Sequence, residues 1–142
     1  MGIQFSRAEF QLWLDNDYIC KPLLTDMKRI DYFFSALLIL LSAGHGIPGT
    51  LMRDGWDSPE AVWSFSGSVA AWLVAAINIL RTGRPEDKGV AVVALLGSLS
   101  WIGLMVWLAI VADMVLDIRI WLFVGTAAAL AGFGFRTLRR QM

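Results

Sequence analysis

The only histidine in the chain, His45, sits in the run Gly44-His45-Gly46-Ile47-Pro48-Gly49, near the end of a long apolar segment. An ionisable side chain at membrane depth is a candidate functional site by default. His45 lies thirteen residues beyond Tyr32, about 20 Å along a helix rising 1.5 Å per residue, which places it in the outer half of a bilayer. Three glycines and a proline predict that the helix weakens or ends here, because proline removes an amide donor and clashes one turn back. Irregular backbone at that depth must be buried in protein or line a wet cavity. Ser66 and Ser68, entering from the opposite side on the next apolar segment, reach a similar depth. The expectation is an outward-facing polar ligand pocket formed by His45, Ser42, Ser66, Ser68 and Thr126. The alternative is a neutral histidine, hydrogen-bonded to a serine or a carbonyl, that simply ends the helix.

Trp72 and Trp101 fall near mid-membrane, away from the interfaces where tryptophan gathers. Each carries an N–H that needs an acceptor, and their flat rings suit an apolar pocket for a lipid tail, a quinone or a pigment; ordinary packing is the alternative. Asp113 and Asp117 share a helical spacing, with Asp54, Asp57 and Glu60 in another outer loop. Hard cations want several oxygens, but no ligand-loop spacing is present, so these read as a solvated acidic rim. The formal G-x-G-x-x-G at Gly44 carries no weight, since a dinucleotide fingerprint needs a strand before it and a helix after it.

What is missing narrows the chemistry. One histidine cannot supply bis-histidine haem ligation, and no Cys/His cluster is available for a transition metal. No metal site and no cofactor is expected. The single cysteine, Cys20, permits no intramolecular disulfide framework. Cys20 and His45 are expected on opposite sides of the membrane, so no nucleophile–base pair is readable. No carboxylate is expected at mid-membrane, which argues against a proton-coupled exchanger. Acids and bases balance at 12 each, so net charge implies no nucleic-acid partner.

The elements that must position these residues are membrane helices. The 142 residues are 57% hydrophobic and 17% charged, whereas a soluble domain averages roughly 45–50% and 25%. Four apolar segments, at about 32–52, 61–80, 89–112 and 120–135, match the roughly 20 residues of a span. The last is short, and Arg136 and Arg139 can snorkel from its end. The fold class expected is an all-α integral membrane protein with four transmembrane helices, preceded over residues 1–30 by an amphipathic interfacial helix. In that first part Ser6 and Glu9 have capping-box spacing, Phe10, Trp13 and Leu14 form an apolar stripe, and Pro22 is expected to end the helix. No cleavable leader is visible there, so the first membrane helix is expected to act as its own insertion signal.

Ten lysines and arginines fall on one side of this topology, in the N-terminal segment, the loop after the second helix and the C-terminal tail. Only Arg53 and Arg119 fall on the other. The positive-inside rule then puts both termini in the cytoplasm, in a bacterial inner membrane.

The segment at Val62, VWSFSGSVAA, recurs 58 residues later at Ile120 as IWLFVGTAAA. The same shift carries Ala36, Leu37 and Leu38 onto Ala94, Leu95 and Leu96, and Leu80-Arg81 onto Leu138-Arg139. This predicts two tandem hairpins, at about 31–85 and 89–142 within a transmembrane domain of 31–142, related as a parallel repeat. The small residues Gly67, Ala70 and Ala71, with Val74, and their counterparts Gly125, Ala128, Ala129 and Gly132, are expected to form the packing seam. The expected function is non-enzymatic: an accessory or assembly subunit, or a binder of lipid or a small hydrophobic ligand, joined to copies of itself or to another membrane subunit. The alternative is a small transporter or channel complete only as an oligomer. An enzyme using His45 ranks third.

Overall fold

The computed structural model describes residues 17–52 and 58–141, apart from the side chains of 17–25 and 48–52. It is all-helical there: α1 is Asp17–Met52, α2 Pro59–Gly83, α3 Lys88–Val111 and α4 Ile118–Arg139. All four contain stretches long and apolar enough to cross a membrane. The chain divides into units of residues 1–30 and 31–142. The expected stripe at Phe10, Trp13 and Leu14 lies outside the described residues.

Each later helix starts where the sequence offers an oxygen to its free amides. Ser58 accepts from the Ala61 N–H at 3.1 Å with Pro59 at the first helical position, Asp87 accepts from Val90 N–H, and Asp117 from Arg119 N–H. The turn between α3 and α4 passes through Asp113 at φ +53°, a left-handed conformation that aspartate tolerates better than most residues.

Two expectations about breaks are corrected. α1 runs through Pro22 and continues through Gly44 and Pro48 to Met52. A proline forfeits one backbone hydrogen bond. Ending the helix would leave up to four carbonyls without partners, the worse outcome in an apolar environment.

The unit of residues 31–142 packs through residues spaced alternately three and four apart. Buried positions on this spacing include Asp31, Ser35, Leu38, Ser42 and Gly46 on α1, and Ala61, Ser68, Ala71, Ala75, Asn78 and Thr82 on α2, where Arg81 is buried beside them. On α3 they are Ala91, Ala94, Ser98, Trp101, Met105 and Ala109, and on α4 Ile120, Phe123, Ala127, Leu130 and Gly134. This is the spacing of left-handed helix packing. α3 and α4 are in extensive contact, and α2 packs more on α3 than on α4. Gly134 lets α4 approach closely: a Cβ there would lie 3.4 Å from the Cβ of Leu95.

The expected seam is nearly met on α2, where Ala70 and Val74 pack against the core beside Ala71, and is corrected by a rotation on α4. Ala71 is buried as expected, but Gly67 is only half-buried, and Gly125, Ala128 and Gly132 face outwards. None of the three glycines has a neighbour near its missing Cβ. Ser68, Asn78 and Thr82 lie on one face of α2 with Ala71 and Ala75, and Gly67 lies at the edge of that face.

Candidate functional site

The expected site residues fall into two groups and two outliers. Between α1 and α2, the Ser68 hydroxyl donates to the backbone carbonyl of Ser42 at 2.8 Å. The Ser42 hydroxyl donates to the carbonyl of Ile39 at 2.9 Å, and Trp72 Nε1–H donates to that same carbonyl at 3.3 Å. Gly46 lies directly against Ser68, where an added Cβ would come within 2.1 Å of the hydroxyl oxygen. These hydrogen bonds fasten two helices. In the second group His45, which is exposed, meets the ring of Phe123 edge-on at 6.4 Å, and Phe123 meets the buried Trp101 at 6.2 Å. Trp101 Nε1–H has no hydrogen-bond partner. Ser66 and Thr126 stand apart: each bonds a carbonyl four residues back on its own helix, Val62 and Leu122 respectively.

The strongest polar constellation in the unit lies toward the opposite end, and the sequence reading missed it. Its centre is Arg81, only 2% exposed. One guanidinium nitrogen, Nη2, reaches both carboxylate oxygens of Asp31 at 2.6 and 2.7 Å. Nη1 donates to the Thr137 hydroxyl at 3.0 Å, and Nε donates to the Asn78 side-chain oxygen at 3.3 Å. Asn78 passes the chain on: its amide donates to Ser98 Oγ at 3.0 Å and to the carbonyl of Val74. The Thr82 hydroxyl lies within bonding distance of Asp31 and of the Asn78 carbonyl. Every helix contributes a member.

Local sequence explains the assembly. Asn78, Arg81 and Thr82 are spaced i, i+3 and i+4, so they share a face of α2. Asp31 and Ser35 share a face of α1, and the Ser35 hydroxyl bonds back to the Asp31 carbonyl. Ser98 lies ten residues inside α3 from Lys88, about 15 Å along the axis, so the polar chain runs from the helix ends towards mid-span.

Chemically, this arrangement holds and does not react. The Asp31 carboxylate is occupied by two donors, and the Arg81 guanidinium spends all three of its nitrogens on neighbours. Burying a charge in an apolar interior is tolerated only when it is paired and hydrogen-bonded, and both conditions are met. Among the described residues no cluster of three His, Cys, Asp or Glu side chains is placed to hold a metal ion. A second ion pair, Arg119 with Asp117, is exposed at the far end of α4. There the hydrogen bonds from Arg119 hold the Asp117 carboxyl down at about 2.

At positions 58 residues apart, Arg81 is buried whereas Arg139 is exposed; Leu38 is buried and Leu96 exposed; Phe65 is exposed and Phe123 buried. The two halves thus share residues but differ in their surroundings. No protein-family model matches the chain, and neither does any curated protein or solved structure.

Proposed function

We propose that this is a small multi-pass membrane protein that works by binding, as an accessory or assembly subunit or as a holder of lipid or a small hydrophobic ligand. The observation that carries this reading is the network at Arg81. Its charges are closed on one another across four helices, so it fixes the bundle and offers neither a base nor a nucleophile. The same closure weighs against a polar path through a single bundle, and so against transport. Around it the four apolar helices leave large side chains such as Leu40, Leu73, Trp107 and Ile110 exposed, which suits a lipid surround or a partner helix.

In this reading both termini and the α2–α3 turn are cytoplasmic, the membrane is a bacterial inner membrane, and residues 1–30 include an interfacial helix. The exposed Trp63 and Trp121 stand at the outer boundary. The 58-residue recurrence marks two tandem hairpins whose burial has since diverged. Native mass spectrometry of protein extracted in mild detergent tests the proposal. Co-purifying lipid, ligand, second copy or membrane subunit is expected; a bare monomer would count against it.

A further inference from the structure

A shallow groove of about 470 Å³ runs between α2 and α3 on the outside of the bundle. Leu73, Val74, Ile77 and Leu80 form one wall, and Val93 and Gly97 the other. The volume falls within the usual 300–1,000 Å³ of small-molecule sites, and every lining residue is apolar. Gly97 keeps the floor open: a Cβ there would meet only Val74 Cγ2, at an ordinary 3.9 Å.

The groove leads to a cationic end. Arg84 caps α2 one turn past Leu80, and Lys88 opens α3 one turn before Val93; both are exposed. The Gln141 side-chain amide donates to the Pro85 carbonyl, which ties the end of α4, with exposed Arg139 and Arg140, to the same turn. Against these four cations stand two exposed acids, Glu86 and Asp87, and Asp87 is already committed to the Val90 N–H. Lengths agree as well. Leu73 to Arg84 is eleven residues, about 16 Å of helix, close to half of a roughly 30 Å hydrocarbon core.

We propose that this groove holds an acyl chain of one anionic phospholipid, with the headgroup phosphate at Arg84 and Lys88. The inference rests on the membrane reading above and names a ligand for it.

The test uses the full chain in phosphatidylcholine vesicles, with spin-labelled phosphatidylglycerol or phosphatidylcholine of identical tails as probes. Electron paramagnetic resonance then reads the motionally restricted fraction. A preference for phosphatidylglycerol of at least about fivefold is expected, the size of a single basic residue near a membrane surface. It should shrink towards unity in salt, because exposed charges are screened. Arg84→Glu combined with Lys88→Glu should abolish the preference, while Gly97→Leu, which fills the floor, should lower the restricted fraction of both lipids. Equal association of the two lipids in the unmodified chain would overturn the proposal without needing any variant. So would a groove-filling change that leaves lipid binding intact, or a dimer that Gly97→Leu dissociates, which would assign the groove to a second copy. Failure of the chain to enter vesicles at all would instead sink the membrane reading.

Discussion

Arg81 and Asp31, fifty positions apart in sequence, share a guanidinium–carboxylate contact of 2.6 and 2.7 Å in an interior that leaves them 2% and 6% exposed. The contact is worth less than the damage done by halving it. Removing either partner strands the other charge, at a cost of about 3–5 kcal/mol, whereas replacing both with apolar residues of similar volume is often neutral or stabilising. Asp31→Leu and Arg81→Met are each expected to lower the unfolding midpoint of the detergent-solubilised chain sharply, and the double variant to recover most of the loss. Denaturant titration followed by circular dichroism checks this. Additive losses in the double variant would show that the pair is not the coupling unit.

Gly46 and Gly44 are two residues apart on α1 but face different surroundings. A methyl group at Gly46 would collide with Ser68 at both its hydroxyl oxygen and its Cβ, whereas Gly44 has open space. Gly46→Ala is expected to cost about 1–3 kcal/mol through overpacking. Gly44→Ala should be neutral or stabilise by up to about 1 kcal/mol, because alanine is the better helix former. Melting curves of the two variants in the same detergent compare them directly.

The two inward-turned tryptophans should respond oppositely to deletion of their N–H groups. Trp72 donates to the Ile39 carbonyl; Trp101 donates to nothing. Trp72→Phe is expected to destabilise by about 0.5–1.5 kcal/mol, the net worth of a typical hydrogen bond. Trp101→Phe removes an unpaired buried donor whose desolvation costs about 1–3 kcal/mol, so loss of that penalty offsets the loss of ring volume. A Trp101→Phe protein that unfolds much more readily than Trp72→Phe would contradict this ordering.

At the far end of α4 the sign of the pH dependence follows from Asp117. Its carboxyl titrates at about 2 in the fold against 3.8 for a free aspartate, chiefly because Arg119 donates to it. A depressed value means the folded state favours the ionised form. The contribution is fully present above about pH 4 and is lost as pH falls through 2. The pair lies at the surface with Arg119 well exposed, so the effect on stability is small and the titration itself is the better readout. Carboxyl-carbon NMR should place the Asp117 midpoint near 2 and move it up towards 3.8 in Arg119→Ala.

The four helices were legible because length and apolarity alone specify a span, and three of their N-termini are written as Ser58, Asp87 and Asp117. Rotation about each helix axis was not legible from small residues. A bare glycine such as Gly125 or Gly132 costs little on an outward face, so a small residue does not by itself mark an inward one, whereas Asn78 and Arg81 would be far costlier to leave against an apolar surround. Arg81 was hidden in plain view for a related reason. Near a helix end it counts as a topology-setting cation, and only the partners on α1 and α4 reveal that it turns inward. The same three-dimensional context separates His45 from Ser42: three residues apart, one is exposed against Phe123 and the other is sealed between helices.

The position of Asp31 also constrains the order of events during biosynthesis. Its carboxylate lies on α1, its arginine on α2, and the arginine's Thr137 partner on α4. In the membrane reading proposed above, a lone α1 would carry an unmatched acid into an apolar phase, which favours entry of α1 and α2 as a hairpin with the pair closed. In that order α4 acts as a latch, its Thr137 hydroxyl accepting from Arg81 Nη1 once the pair is made.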